Sequence, residues 1–145
     1  MLVVADASVL VVAPQRLDDE GVQLRRWLVD LSEGRELQIL QNLTQLEVMS
    51  ALRRLVLSGS LVESEAHAAI VRFIELPARR LQVTQPMAIR IWELRNNLTP
   101  YDAAYVALTE RLQSEEKVEV ALATADGRLA NAPGLSCDVR FFENK

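Results

Sequence analysis

Four carboxylates are set apart in this sequence by where they fall: Asp6, Glu47, Asp102 and Asp126. Asp6 closes the apolar run "LVVAD", and Asp126 follows "VALATA". Glu47 lies on the first turns of the helical segment "LTQLEVMSALRRLVLSG", and Asp102 in "TPYDAAYVALTE". Apolar residues wrap nearly all the way round that last segment, the pattern of a buried helix. A carboxylate ionised in such a setting is costly unless something pairs with it. Clustered carboxylates also repel and raise one another's pKa values. A divalent cation removes that penalty, and oxygen-only donors select Mg²⁺ or Mn²⁺. One or two such ions activate a water, hold a phosphate and stabilise a leaving oxygen, which is the chemistry of phosphodiester hydrolysis.

Taken singly, each carboxylate has a plainer role. Asp6 suits the cap of a following helix, and Asp126 stands at a helix start. Asp102 lies three residues after Thr99 with Pro100 between, close to a capping box, and Glu47 suits a helix surface. The coincidence of four such residues is the signal.

The elements that must position them alternate along the chain. "LVVAD", "ELQILQ", "RRLQVTQ", "VEVALAT" and "DVRFF" read as strands, the first a continuous apolar run suited to a sheet covered on both faces. Between them fall a short helix ending by Pro14, then "DDEGVQLRRWLVDLSEG", "LTQLEVMSALRRLVLSG" and "SLVESEAHAAIVRFIEL". Ser60 or Ser64 reads as the cap of the last of these. "PMAIRIWELRNN", with Pro86 at its first position, precedes the Asp102 helix, and "DGRLAN" is a helical turn. This order predicts an α/β fold: a central, mostly parallel sheet of four to five strands flanked by helices. In such sheets ligands bind beyond the carboxyl ends of the strands, where the strand order reverses. Asp6, Glu47, Asp102 and Asp126 all map to that edge.

With 145 residues, half of them apolar, the chain reads as one domain over 1–145. The single cysteine, Cys137, excludes an internal disulfide and a multi-thiolate zinc site. "MLVVADASVLVVAP" lacks a basic region before its apolar run, and no stretch approaches the roughly 20 apolar residues of a membrane span. The expectation is a soluble, cytoplasmic protein. The net charge is −4, yet 14 of the 16 cations are Arg, which suits bidentate contact with phosphate. His67, the only histidine, lies within an amphipathic helix, so histidine-pair and Ser–His–Asp mechanisms lack parts. No G-x-G-x-x-G or P-loop pattern occurs. The only lysines, Lys117 and Lys145, are misplaced for a phosphoacceptor receiver domain.

"VVADASVL", the glutamate in "LEVMSALRR", "NNLTPYDAAYVALTE" and "LATADGRLA" together resemble the four signature segments of PIN domains, in the order and spacing of compact VapC-type toxins. The resemblance spans almost the whole chain and implies a PIN-like three-layer sandwich. It implies a Mg²⁺- or Mn²⁺-dependent endoribonuclease in which Asp6, Asp102 and Asp126 hold the metal. Glu47 is then a further ligand or the group orienting the attacking water. Ser8 and Thr124 match supporting hydroxyl positions. Ser50 stands where many members carry asparagine, short enough to change that support. The resemblance also implies an RNA substrate, a homodimer and a cognate antitoxin whose basic or apolar segment covers the site. Arg53, Arg54, Arg95 and Arg128 are candidates for RNA phosphates, Arg54 foremost, since it lies two turns after Glu47 on the same helix face. Apolar excess in "VLVVAP" and "IVRFIEL" suits an interface with a second copy or an antitoxin. Two other readings fit the same residues: a PIN-like nuclease of RNA maturation, and a non-catalytic RNA- or protein-binding module with a vestigial acidic site.

Overall fold

A computed structural model describes residues 1–144. Leu2–Ala5 form strand β1, with Val3, Val4 and Ala5 fully buried. The remaining strands are β2 (Leu37–Leu40), β3 (Arg79–Leu81), β4 (Val120–Thr124) and β5 (Asp138–Phe141). They make one parallel sheet in the order β3-β2-β1-β4-β5. Parallel pairing demands crossovers, and the helices supply them. After β1 come α1 (Ala7–Val12) and α2 (Asp19–Glu33); after β2, α3 (Leu43–Leu57) and α4 (Glu63–Glu75). After β3 come α5 (Gln85–Glu93) and α6 (Pro100–Glu116), and after β4 the single turn α7 (Gly127–Ala130).

Alternation along the strands feeds both faces of the sheet. Val4 and Leu122 join a cluster with Met87, Leu94 and Leu108 under α5 and α6. Val3, Ala5 and Ala123 join Val9, Leu24 and Leu28 under α1 and α2. Ile39 packs with Val48, Leu52 and Phe73 under α3 and α4. The result is three layers, which is the fold the sequence predicts.

Topology sets where a site can form. From β1 the chain steps to β2 and β3 on one side, then crosses back to β4 on the other. The crevice at the carboxyl ends of β1 and β4 is therefore the switch point. Helix α6 begins at this edge because it runs back across the sheet before β4. Thr99 caps it, its Oγ1 accepting from the Asp102 N–H at 3.2 Å, with Pro100 in the first turn. Seven consecutive residues, Ala103 to Thr109, are buried, so the apolar wrap of α6 reflects its burial between the sheet and α5.

One helix start differs from expectation. Neither Ser60 nor Ser64 caps α4; Val62 occupies that position without a side-chain bond. Ser60 instead shares a 3.0 Å hydroxyl contact with Ser58 in the preceding turn, and Glu63 and Glu65 supply first-turn negative charge in place of a cap. Among the described residues no helix is long and apolar enough to cross a membrane.

Candidate active site

Asp6 is the most constrained of the four carboxylates. It directly follows β1 and is 5% exposed. Its Oδ1 accepts from Ser8 Oγ at 2.5 Å and from the Val9 N–H at 3.2 Å, and so caps α1. Its Oδ2 accepts from Thr124 Oγ1, at the end of β4. The two hydroxyls are themselves held. Ser8 Oγ accepts from the Ala125 N–H at 2.7 Å, and Thr124 Oγ1 from the Asp126 N–H at 3.0 Å. Both hydroxyl hydrogens thus point at Asp6, and these bonds tie the ends of β1 and β4 together. Burial pushes the Asp6 carboxyl above the usual range; the bonds from Ser8, Thr124 and Val9 oppose it, and the charge of Asp102 adds to the rise.

Glu47 stands on the second turn of α3, partly exposed. Its Oε1 accepts from Tyr105 Oη at 2.6 Å. Burial raises its pKa, the Tyr105 bond lowers it, and the charges of Asp102 and Asp6 raise it further. Asp102, half-buried on the first turn of α6, is also raised, by burial and then by the charge of Asp126. The Thr99 bond and the positive charge of Arg128 oppose that. Asp126 caps α7, its Oδ1 accepting from the Arg128 N–H at 2.9 Å.

The four groups therefore act on one another across the switch point, though they arrive from four different elements. Among the described residues none of them forms an ion pair with a basic side chain. Nor, among the described residues, are three of them drawn into a ready-made metal shell. In donor chemistry the set fits a hard divalent cation: hard oxygens only, with burial first and neighbouring negative charge second raising the pKa values of Asp6, Glu47 and Asp102.

The other sequence candidates divide. Ser8 and Thr124 are in direct contact with Asp6, as described. Ser50 is exposed on α3, and its Oγ accepts from Arg54 Nη1 at 3.2 Å. Three residues after Glu47 and four before Arg54, it lies between them on one face of the helix. Arg54 and Ser8 both line a cleft of about 620 Å³ along α1 and α3. Arg128 is exposed and electrostatically near Asp102. Arg95 lies over the Trp92 ring at 5.0 Å and donates to the Trp92 carbonyl, so its local partner is that tryptophan. Arg53 is exposed on α3. Sequence reading passed over Tyr105. It is 1% exposed and sits three residues after Asp102, where a tyrosine in an apolar helix reads as core. The only signal was its hydroxyl, which a buried tyrosine must satisfy.

No sequence-family model matches the chain. Ribonuclease VapC1 of Mycobacterium tuberculosis (strain H37Rv) is 41% identical over 99 residues, covering 68% of this chain and 70% of the relative. Among solved structures, VapBC2 from Rickettsia felis bound to a DNA fragment from its promoter aligns with a TM-score of 0.64. That alignment covers 99% of this chain and 100% of the matched one at 13% identity. The M. tuberculosis toxin VapC20, which cleaves the sarcin–ricin loop, aligns with a TM-score of 0.62 at 17% identity, over 92% of this chain and 95% of that one.

Proposed function

The chain belongs to the VapC ribonuclease family, and from that premise we propose that it is the toxin of a toxin–antitoxin pair, a divalent-metal-dependent endoribonuclease acting in the cytoplasm. The observation that carries the reading is the convergence of Asp6, Glu47, Asp102 and Asp126 at the β1–β4 switch point, with no basic side chain among the described residues in an ion pair with them. Asp6, Asp102 and Asp126 would hold Mg²⁺ or Mn²⁺, with Glu47 completing the set. When bound, such an ion offsets the clustered charge and acidifies water for attack on phosphorus. The chain's own residues do the positioning. Ser8 and Thr124 fix both oxygens of Asp6. Glu47, with Oε1 engaged by Tyr105, presents its other oxygen to the attacking water. Arg54 in the cleft, Arg128 beside Asp102 and Arg95 beyond them meet the phosphates of the RNA.

Two partners belong to this reading. One is a second copy of the chain. The other is an antitoxin, supported by the alignment with a chain of a VapBC assembly. A second groove of about 670 Å³, lined by Leu10, Leu28, Leu52, Leu61 and Phe73, suits an apolar segment of that antitoxin.

The test is cleavage of total RNA by the purified chain. We expect products with Mn²⁺, none with EDTA, and recovery on restoring Mn²⁺. Asp6→Asn and Asp102→Asn should each lower the rate by at least ~100-fold while keeping a cooperative melt, as loss of a group acting on the reacting phosphate does. Cleavage that continues undiminished in EDTA overturns the reading.

A further inference from the structure

Glu47 is in an awkward position. It is a flexible, half-exposed side chain, and the charges of Asp6 and Asp102 push it away. One contact holds it, and the contact is itself anchored. Tyr105 Oη donates to Glu47 Oε1 at 2.6 Å, which uses the only hydroxyl hydrogen of the tyrosine. The 3.0 Å contact between Thr44 Oγ1 and Tyr105 Oη must then run from threonine to tyrosine. Thr44 Oγ1 in turn accepts from the Leu40 N–H at 3.1 Å. Leu40 is the last residue of β2. A one-way chain of donors thus starts at the sheet and ends on Glu47, with Thr44 and Tyr105 both buried. Tyr105 lies three residues after Asp102 on α6, so the same helix end delivers one carboxylate and grips another.

We propose that Tyr105 is a positioning residue, holding Glu47 toward Asp6 and Asp102 and leaving its Oε2 free for the work of the site. The inference rests on the nuclease reading for what that work is, but not for the grip itself. Tyr105 suits the task because a buried tyrosine has few rotamers, so its hydroxyl is fixed before any ligand arrives. Partners of this kind, one step behind a ligating carboxylate, change metal affinity or activity by about 10- to 100-fold when removed.

The test is Mn²⁺ calorimetry on the full chain without RNA, across Tyr105→Phe, Glu47→Gln and the double variant. Tyr105→Phe should weaken Mn²⁺ binding about tenfold and add no further loss in the Glu47→Gln background. Single-turnover cleavage should show a fall in kcat with KM for RNA changed by less than about twofold, the pattern of a group acting in the transition state. Should Tyr105→Phe fail to fold, Thr44→Val breaks the chain one link earlier. It should move Mn²⁺ affinity in the same direction, and Thr44→Ser should restore it. Mn²⁺ affinity unchanged by Tyr105→Phe, a loss equally large in the Glu47→Gln background, or no Mn²⁺ binding by the parent chain would each overturn the proposal. The two readings fail separately. Tyr105-dependent Mn²⁺ binding with RNA left intact sinks only the nuclease, and metal-dependent cleavage with Tyr105-independent Mn²⁺ binding sinks only the grip.

Discussion

Asp6 and Asp102 reach the same crevice under opposite terms. Asp6 has both oxygens occupied by donors the backbone holds in place, so its charge, though buried, is hydrogen-bonded. Asp102 accepts no comparable set of bonds, and the Asp126 charge repels it. Replacing Asp102 by Asn removes that repulsion and keeps the shape. We expect Asp102→Asn, though inactive, to melt roughly 1–3 °C above the parent in metal-free buffer at pH 7.5. The pH dependence follows from the sign of the shift. A carboxyl whose pKa is raised by folding binds its proton more tightly in the folded chain, so its ionisation opposes folding above the raised pKa. That opposition fades as pH falls toward the unfolded value. The advantage of the Asn variant should therefore shrink between pH 7.5 and about pH 4.5. Urea unfolding at several pH values measures it, and an advantage that grows with acidity contradicts the account. Asp6→Asn should show no such gain, because it disturbs three donors that now have a carboxylate to meet.

At the scale of the elements, much was legible because local rules agree with the fold. The central strands β1, β2 and β4 are short, mainly apolar runs, and Thr99, Asp6 and Asp126 cap helices as their positions predict. What stayed hidden depends on contacts distant in sequence. The strand order needs the whole crossover pattern, and the tie between Glu47 and Tyr105 spans 58 positions. The bond between Ser50 and Arg54 is a matter of rotamer that spacing alone does not decide. Gly21 makes the same point energetically. In the first turn of α2 it looks like a weak spot, which Ala should improve by up to ~1 kcal/mol. The structure reverses that sign. A Cβ at Gly21 would sit 2.5 Å from the Arg16 carbonyl oxygen and against Arg16 Cβ. Arg16 is buried, and it cannot easily retreat while it bonds Asp18, Glu20 and the Glu143 carbonyl. Gly21→Ala should destabilise the fold by about 1–3 kcal/mol, as overpacking does. A chemical denaturation midpoint at or above the parent's would show that the Arg16 turn yields.

The whole molecule shows why a divalent ion should matter beyond chemistry. Asp6 follows β1, Glu47 belongs to α3, Asp102 to α6, and Asp126 to the β4–α7 junction. These elements span the chain from its first strand to its last helix, and they meet only when the sheet is assembled. The unfolded chain scatters the same carboxylates and binds an ion weakly. A ligand that prefers the folded state stabilises it by about 2.7 kcal/mol at a concentration 100 times its Kd. For a chain of 145 residues that corresponds to a rise in Tm of roughly 5–10 °C. We therefore expect Mn²⁺ to raise the melting temperature in that range, EDTA to reverse it, and Asp102→Asn to lose most of the increment despite its higher starting point. The crossing of the two trends is the discriminating result. A cation acting only through general screening of net negative charge would stabilise parent and variant nearly alike, and Na⁺ at matched ionic strength would reproduce it. Scanning calorimetry of the two proteins with and without Mn²⁺ separates the cases. Equal increments would mean that the four carboxylates share a neighbourhood without sharing an ion.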